Sequence, residues 1–433
     1  MKLYEIFQNH PVICTDSRHC PEGSLFFALR GDNFDANAFA FSALEKGCAL
    51  AVVDNPEYAT DKRFILVDDV LETLQELARY HRRQLSTKII GITGTNGKTT
   101  TKELIAAVLK QKYNTHFTQG NFNNHIGVPL TLLQLKPEHD VAVVEMGANH
   151  PGEIKILSEI ACPDYGIITN VGQAHLEGFG SFEGVKKTKA ELYDFIWKNS
   201  GKIFLNLGNE NLTEMAEKSG FADYSYVLPY QPDSDIENKL ATGKIISNSP
   251  LLEMQCLTAE GGFDVKTQLI GTYNAENVLA AVAIGSYFEV ENKKIKQALE
   301  NYRPQNNRSQ FTQTESNKLI IDAYNANPTS MQAAIRNFAQ MEAENKSVII
   351  GDMLELGSQS DKEHQKIADL VNETGFSDVY LIGKCFGNVK SNFRNFANVD
   401  ELKLHLQKYP LKSRFILIKG SHGIHLEKII ENL

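Results

Sequence analysis

The chain carries the stretch Ile89-Ile-Gly-Ile-Thr-Gly-Thr-Asn-Gly-Lys-Thr-Thr100, in which an apolar run passes into a glycine loop and then into a helical pattern over 101–110. Glycines let the backbone N–H groups of such a loop turn toward a polyphosphate, and the following helix N-terminus adds a positive partial charge. Lys98 is expected to neutralise phosphate oxygens, and the Thr99 hydroxyl to bind Mg²⁺. The strict pattern G-x-x-x-x-G-K-[ST] is not met, because Ile92 stands where its first glycine belongs. The alternative is a glycine turn that contains Gly-Lys-Thr by chance. We predict a nucleotide-binding loop instead, because a predicted strand and a predicted helix flank it.

Apolar runs spaced by helix-length segments continue on both sides of this loop. Such runs indicate α/β folding with parallel sheets covered on both faces. The strand candidates are 24–29, 49–53, 89–93, 141–144, 165–169, 202–205, 319–321, 347–350, 378–382 and 415–418, and the helix candidates are 71–85, 101–110 and 275–288. The more polar stretch 221–268 could hold an antiparallel extension of the central sheet.

At 433 residues the chain exceeds what one hydrophobic core supports, so two or three domains are expected. We predict three α/β domains. An N-terminal domain over 1–85 binds a UDP-linked substrate, a central phosphate-loop domain over 86–303 binds ATP, and a Rossmann-like domain over 304–433 closes on ATP. A hinge is expected near residue 305.

Composition limits the classes of function. The net charge of −9 argues against a nucleic-acid binder, which usually presents a basic face. The six cysteines are scattered without paired metal-ligand spacing, which is typical of reduced thiols in a cytosolic protein. The N-terminal residues lack the apolar stretch of a signal peptide, and no apolar run reaches the roughly 18 residues that span a bilayer. We therefore expect a cytoplasmic monomer that acts on small molecules, without membrane or nucleic-acid partners.

Four ordered motifs resemble the Mur ligase family, which includes folylpolyglutamate synthases. They are Thr93–Thr100, Gly120–Leu130, Glu145–Glu153 and Asp322–Pro328, and the last three are similar to members that add D-alanyl-D-alanine. The resemblance covers essentially the whole chain. It implies an ATP-dependent amide ligase of peptidoglycan synthesis that adds D-alanyl-D-alanine to UDP-N-acetylmuramoyl-tripeptide (UDP-MurNAc-tripeptide) through an acyl phosphate, forming the UDP-MurNAc-pentapeptide.

The resemblance also implies a metal site with two Mg²⁺ ions. Glu145 follows an apolar run, so a parallel strand would deliver it to the carboxyl edge of the sheet. Glu145 and Thr99 are expected to bind one Mg²⁺ ion, and His175 is expected to bind the second. Lys189 is the position that the resemblance gives as carbamylated by CO₂ and as a further metal ligand. Without the resemblance, these residues would be interpreted as a strand-end acid, a capping or packing histidine and one lysine of a solvated helix face.

The nucleotide is expected to contact residues on both sides of the predicted hinge. Asn274 heads a predicted helix, where asparagine is a favoured N-cap, and the resemblance gives its amide to the adenine. Arg308 is implied at the γ-phosphate and Asp322 at the ribose. The full expected set comprises Gly94, Thr95, Asn96, Gly97, Lys98, Thr99, Thr100, Asn274, Asn277, Arg308, Asp322 and Asn325, and the catalytic residues are Lys98, Glu145, His175, Lys189 and Arg308.

Substrate contacts are implied in all three domains. Ser17 and Arg18 resemble the family's uridine-diphosphate segment, although a simple turn is the alternative. The peptide portion is expected near Asn121, Asn123 and Asn124, and D-alanyl-D-alanine near Asp352 and Glu355. Two residues depart from the family pattern, since His125 stands where an acid is common and His422 replaces a frequent arginine.

Three other functions compete with this prediction. A Mur-type ligase could use a different acceptor, such as diaminopimelate, lysine or the glutamate of folylpolyglutamate synthesis, but the Asn121–Gly127 and Asp322–Pro328 segments disfavour it. A phosphate-loop switch would hydrolyse nucleotide without an amine, and its apolar strand would usually end in aspartate. A catalytically inactive binding module is disfavoured by the retained Lys98, Glu145 and Lys189.

Overall fold

A computed structural model describes residues 2–31, 33–222, 227–304 and 308–433 of the protein, and the side chain of Leu176 lies outside the described part. The N-terminal unit contains α1 (Lys2–Asn9), β1 (Ile13–Cys14), β2 (Leu25–Phe27), β3 (Arg30–Gly31), β4 (Phe34–Asp35), α2 (Ala40–Glu45), β5 (Leu50–Val53), β6 (Phe64–Leu66) and α3 (Val70–Arg83). Four strands form a parallel sheet in the order β1-β2-β5-β6, and β3 pairs with β4.

Helix α3 fastens this unit to the next one. Its N-cap Asp69 accepts a hydrogen bond from the backbone N–H of Glu72, and its buried face includes Leu74 and Leu77. Near its C-terminus, the Arg82 guanidinium donates to the Ala161 and Cys162 carbonyls and pairs with Asp164 at 2.9 Å. Because these acceptors belong to the central unit, a buried cation holds the two units together.

The central unit is built on a nine-stranded sheet. Its strands are β7 (Lys88–Thr93), β8 (Thr115–Phe117), β9 (Val141–Glu145), β10 (Tyr165–Ile168), β11 (Lys202–Asn206), β12 (Val227–Pro232), β13 (Ala241–Ser247), β14 (Glu253–Thr258) and β15 (Gly261–Lys266). Their order is β15-β14-β13-β12-β11-β10-β7-β9-β8. Strands β7 to β13 are parallel, whereas β14 is antiparallel to β13 and β15 is antiparallel to β14. The antiparallel extension predicted within 221–268 is therefore confirmed.

Both faces of this sheet are covered by helices, as the apolar runs require. The helices are α4 (Lys98–Leu109), α5 (Gly127–Leu132), α6 (Glu153–Ala161), α7 (Leu176–Phe179), α8 (Phe182–Lys198), α9 (Glu210–Lys218), α10 (Ala275–Tyr287) and α11 (Asn292–Asn301). Within β7, Ile89 packs into one core, whereas Ile90 and Ile92 pack into the other. Successive strand residues face opposite sides, so a strand that is apolar at every position needs both cores.

The C-terminal unit has a six-stranded sheet in the order β16-β17-β21-β18-β19-β20, with β16 antiparallel to its neighbour. Its elements are β16 (Gln310–Gln313), β17 (Lys318–Asp322), α12 (Pro328–Gln340), β18 (Lys346–Gly351), α13 (Ser360–Thr374), β19 (Asp378–Ile382), α14 (Lys384–Gly387), β20 (Arg394–Phe396), α15 (Val399–Lys408) and β21 (Phe415–Lys419). The four strands predicted in this part of the chain coincide with β17, β18, β19 and β21.

The three-unit α/β architecture is confirmed, because each large sheet lies inside one predicted range. The boundaries after residues 85 and 303 stay predictions, and the hinge predicted near residue 305 lies outside the described residues. Within the described part of the chain, no helix is both long and apolar enough to cross a membrane. The carboxyl ends of β7, β9 and β10 meet at one edge of the central sheet, where the C-terminal unit lies against it.

Candidate active site

A cavity of about 760 Å³ lies between this sheet edge and the C-terminal unit. It collects residues that are widely separated in the sequence, from the phosphate loop to β21. The predicted site residues that line it are Thr95, Asn96, Gly97, Lys98, Thr99, Thr100, Asn121, Asn123, Asn124, Glu145, His175, Asn274, Asn277, Arg308, Asp322, Asn325 and Glu355. The structure thus brings the predicted nucleotide and peptide contacts into one chamber.

The phosphate loop takes a conformation that requires glycine at two positions. Gly94 and Gly97 have φ values of +145° and +77°, a region that L side chains rarely adopt. A Cβ atom at Gly97 would also lie 2.6 Å from Oδ1 of Asn277. The Lys98 ammonium folds back over the loop and donates to the carbonyls of Gly94 (2.8 Å) and Thr95 (3.0 Å). Removal from bulk water lowers the pKa of Lys98 to about 8, and the Arg308 charge adds to this effect.

Glu145 ends β9 and is only 1% exposed. Its Oε1 accepts hydrogen bonds from the Asn123 amide (2.8 Å) and the Thr99 hydroxyl (3.2 Å). Its Oε2 is buried, has no hydrogen-bond partner within the described residues, and lies 3.5 Å from the ammonium of Lys102. Lys102 was missed by the sequence reasoning, although it lies one helical turn after Lys98 on α4. A buried carboxylate oxygen that makes an ion pair but no hydrogen bond is suited to binding a cation.

Lys189 lies on α8 and is 2% exposed, so it does not belong to a solvated helix face. Its ammonium lies 3.5 Å from the Ala148 carbonyl and 5.3 Å from the centroid of the Phe179 ring. Burial lowers the pKa of Lys189 to about 7, and the nearby positive charge of Lys98 adds to this effect. The amine is therefore held in surroundings that favour its neutral form.

His175 has a positive φ of +50°, and its Nδ1 contacts the carboxylate of Glu355 from the C-terminal unit. Burial lowers the pKa of His175, whereas the Glu355 charge opposes this shift. Glu355 also has a positive φ, of +63°. Left-handed backbone is uncommon for residues other than glycine, and it occurs here on both sides of an interdomain contact.

The residues expected at the adenine form a chain of side-chain hydrogen bonds. The Asn274 amide donates to the Ile270 carbonyl (2.8 Å), and the Asn277 amide donates to Oδ1 of Asn274 (2.8 Å). Oδ1 of Asn277 accepts from the Thr101 hydroxyl on α4 (3.0 Å). Asn274 occupies the N-cap position of α10 but makes no side-chain capping bond. Its side chain is therefore fixed by Ile270 and Asn277 and not by a capping role.

On the opposite wall, three flat side chains lie in a stack. The Arg308 guanidinium carbon lies 3.8 Å from the centroid of the Tyr324 ring, and the His422 ring stacks against the same tyrosine with centroids 5.6 Å apart. Beside them, Asp322 accepts from the backbone N–H of Ser309 (3.3 Å) and pairs with the buried Lys419. The sequence analysis also missed Lys419. Its position at the end of an apolar strand could have identified it as a candidate site residue.

Three residues predicted to contact substrates, Ser17, Arg18 and Asp352, do not line the cavity. Ser17 and Arg18 are outside the cavity lining, and the Arg18 side chain is 88% exposed and paired with Asp16. Asp352 is buried, and its carboxylate oxygens accept from the backbone N–H groups of Cys385 and Phe386, both at 2.9 Å. Both carboxylate oxygens of Asp352 are therefore used at the start of α14, and its expected contact with D-alanyl-D-alanine stays a prediction.

The chain matches three domain profiles of one protein family. Profiles of the Mur ligase family catalytic domain, the Mur ligase middle domain and the Mur ligase glutamate ligase domain match residues 11–82, 92–285 and 307–410. The chain belongs to the Mur ligase family. It is 33% identical to the UDP-N-acetylmuramoyl-tripeptide–D-alanyl-D-alanine ligase of Bacillus subtilis, over 97% of this chain and 92% of that protein. It is 34% identical to the Escherichia coli enzyme of the same name, over 97% of this chain and 93% of that protein.

Solved structures of other Mur ligases share the three-domain fold. A crystal structure of MurF from Acinetobacter baumannii is 31% identical, with a TM-score of 0.87 and coverage of 100% of this chain and 97% of that chain. MurF ligase from Thermotoga maritima, solved in complex with ADP, is 25% identical, with a TM-score of 0.84 and coverage of 98% and 97%. This Mur ligase is therefore an ATP-dependent enzyme that forms amide bonds.

The chamber of this ligase is rich in cations. Lys98, Arg308 and Lys419 line it, the buried Lys102 lies beside the lining residue Glu145, and the buried Lys189 lies close enough to Lys98 to feel its charge. An anionic substrate and a polyphosphate repel each other in water, so bringing them together requires such compensation. The arrangement is suited to phosphoryl transfer onto a carboxylate.

Proposed function

We propose that this Mur ligase joins D-alanyl-D-alanine to UDP-MurNAc-tripeptide in the cytoplasm, with ATP converted to ADP and phosphate. The observation that carries this proposal is that the phosphate loop, Glu145 and the Asn121–Asn124 loop face one chamber, which Arg308 and Glu355 complete from the C-terminal unit. The near full-length relatives whose names state this activity support the choice of substrates. A monomer remains our expectation.

The proposed reaction has two steps. A carboxylate oxygen of the tripeptide forms a bond to the γ-phosphorus of ATP, and the bond to ADP breaks, which gives an acyl phosphate. The neutral amine of D-alanyl-D-alanine then bonds to the acyl carbon, phosphate leaves, and the amine loses a proton. Lys98 and Arg308 lower the cost of the first step, because they neutralise oxygens on the phosphate that is transferred.

The residues around Glu145 fit a Mg²⁺ ion. Magnesium prefers hard oxygen ligands, and the Thr99 hydroxyl lies 3.2 Å from Oε1 of Glu145, whose Oε2 makes no hydrogen bond within the described residues. We propose these two side chains for one ion, and His175 with modified Lys189 for a second ion. Bound Mg²⁺ supplies further neutralisation of phosphate charge. The protein side chains orient the carboxylate and the phosphate chain toward each other.

Lys189 fits the proposed carbamylation. A neutral amine can bond to the carbon of CO₂ and release a proton, which leaves an anionic carbamate. The lowered pKa of Lys189, about 7, makes the neutral amine available near neutral pH. Carbamylation would also replace a cation near Lys98 by an anion, which removes a repulsion between two buried positive charges.

The remaining substrate contacts are proposals for separate parts of the fold. Residues 1–85 would bind the UDP end through Ser17 and Arg18, which are partly or fully accessible to solvent. The Asn121–Asn124 loop would contact the peptide within the ATP-binding domain, 86–303. The domain over 304–433 would receive D-alanyl-D-alanine near Glu355, since a carboxylate can accept hydrogen bonds from its amine.

The test is phosphate release from ATP with Mg²⁺ and UDP-MurNAc-tripeptide, with and without D-alanyl-D-alanine. We expect sustained release with the dipeptide, formation of the pentapeptide by mass spectrometry, and loss of both in Lys98→Met. Diaminopimelate, lysine and glutamate serve as control acceptors. Release independent of D-alanyl-D-alanine would overturn the acceptor, and release from ATP without any substrate would favour a nucleotide-hydrolysing switch.

A further inference from the structure

Three of the six cysteines converge in the N-terminal unit, although the sequence scatters them. Cys14 ends β1, Cys20 lies in the loop that follows, and Cys48 precedes β5. Their Sγ atoms all lie within 4.8 Å of one another, and all three are free thiols. Cys14 and Cys48 are buried, whereas Cys20 is half-buried and opens a route to solvent.

We infer that Cys14, Cys20 and Cys48 form a binding site for a thiophilic metal ion of the Zn²⁺ class. Thiolate sulfur is the preferred ligand of such ions. A Zn–S distance of about 2.3 Å puts the sulfurs of a tetrahedral site about 3.8 Å apart, which small side-chain shifts can reach from the present spacing. Three protein ligands leave the fourth position to water.

The present contacts of the three sulfurs are weak ones that a metal bond can replace. Sγ of Cys20 lies 3.6 Å from the Ser17 carbonyl oxygen and 3.9 Å from that of Asp16. Sγ of Cys14 lies 3.3 Å from the carbonyl oxygens of both Asp16 and His19. Sγ of Cys48 lies 3.2 Å from the Ser24 hydroxyl. Thiols are weak hydrogen-bond donors, so these contacts hold the sulfurs loosely. Each sulfur that becomes a ligand releases its proton to solvent, so binding strengthens as the pH rises.

A second cluster of possible ligand atoms shows that short distances alone do not make a metal site. The ligand atoms of Asp352, His364 and Cys385 also lie within 4.8 Å of one another. However, Nε2 of His364 accepts a hydrogen bond from the backbone N–H of Met353 (3.0 Å), and Nδ1 lies 2.8 Å from the Ser360 carbonyl. Both carboxylate oxygens of Asp352 accept backbone N–H groups as well. These ligand atoms are already engaged, so this cluster serves as an internal control.

The thiol cluster encloses a segment to which the proposed function gives a role. Ser17 and Arg18 lie between Cys14 and Cys20, and the Lys46 ammonium donates to the Ser17 carbonyl at 2.7 Å. A metal bound by both cysteines would fasten the two ends of this loop. If the loop binds the UDP end of the substrate, which rests on the proposed function, metal occupancy should change the KM for UDP-MurNAc-tripeptide more than kcat.

The test uses Co²⁺ as a spectroscopic probe on the full chain, after treatment with a reductant and a chelator. We expect one equivalent to produce thiolate-to-cobalt charge transfer in the near ultraviolet, together with the visible bands of a tetrahedral ion. Zn²⁺ should abolish both signals, whereas Mg²⁺ should not. The signals should be lost in Cys20→Ser and Cys48→Ser and retained in Cys162→Ser and Cys385→Ser.

Three results would overturn the inference: no thiolate band in the wild-type protein, a band that survives Cys20→Ser, or a band that is lost in Cys385→Ser. Cys20 is the most accessible of the three thiols, so its serine variant should fold, and its thermal unfolding midpoint checks this. The absorption needs no turnover. A failed ligase assay would therefore count against the proposed function without affecting this test.

Discussion

The side-chain amide of Asn327 donates a 2.7 Å hydrogen bond to Oδ1 of Asn96, which joins the start of α12 to the phosphate loop. Asn327 is also the N-cap of α12, where its Oδ1 accepts from the backbone N–H of Ser330 at 2.9 Å. The backbone N–H of Asn96 in turn donates to Oδ1 of Asn170 (2.9 Å). One side chain therefore fixes both a helix end in the C-terminal unit and the docking of that unit onto the nucleotide loop.

This dual role predicts that two substitutions of Asn327 will separate stability from activity. Asn327→Asp keeps the capping oxygen but loses the N–H donor to Asn96, so we expect a near-normal thermal midpoint. A lost hydrogen bond of about 1 kcal/mol should lower turnover by about fivefold through weaker domain docking. Asn327→Ala should also lose the cap and destabilise the protein by about 1 kcal/mol. Equal losses of stability in the two variants would contradict this separation.

Variants of the ion pair between Glu145 and Lys102 should also separate stability from activity. Glu145→Gln should lower turnover by about 100-fold, since it removes the carboxylate proposed for Mg²⁺. It should also destabilise the protein by up to about 3 kcal/mol, because the buried Lys102 then keeps only the Glu103 carboxylate, at 3.8 Å, as a counter-charge. The double variant Glu145→Gln with Lys102→Met should recover stability but not activity, as measured by thermal unfolding and by phosphate release. Recovered activity in the double variant would exclude the proposed role of Glu145.

Lys189 can be tested with Lys187, an exposed lysine on the same helix, as the matched control. With ¹³C-bicarbonate we expect a carbamate resonance that is present in Lys187→Met and lost in Lys189→Met. Its intensity should decline as the pH falls below about 7, since the protonated amine cannot bond to CO₂. Turnover of Lys189→Met should drop by about 100-fold or more. Undiminished turnover would exclude Lys189 from the reaction.

The half-buried His116, which does not line the chamber, should make the stability of the protein depend on pH. Burial lowers the pKa of His116 to about 4, and the neighbouring His139, with ring centroids 5.2 Å away, adds to this effect. The unfolded chain, with an ordinary histidine pKa near 6.5, binds more protons between these two values. The free energy of unfolding should therefore fall as the pH is lowered from about 6.5 to 4. Denaturant titrations of His116→Gln should show a smaller fall, whereas the exposed His19→Gln should match the wild type.

The sequence by itself determined the order of elements and the chemistry at their ends. Strands β7 and β9 are visible as apolar runs, and Gly97, Lys98 and Glu145 are visible at their carboxyl ends. These features are local, because alternation of side chains along a strand and the φ requirement of glycine depend only on near neighbours. Parallel strands then bring such ends to one edge, so much of the chamber could be predicted.

Only the tertiary structure decided which distant side chains meet and which oxygens stay available. It paired Lys102 with Glu145, used the carboxylate of Asp352 within its own unit, and brought Cys20 to Cys14 and Cys48. These contacts depend on strand order, helix packing and side-chain direction, which no local pattern encodes. Free energy is gained when a buried polar group finds a partner, and the partner is whichever residue the fold places within reach.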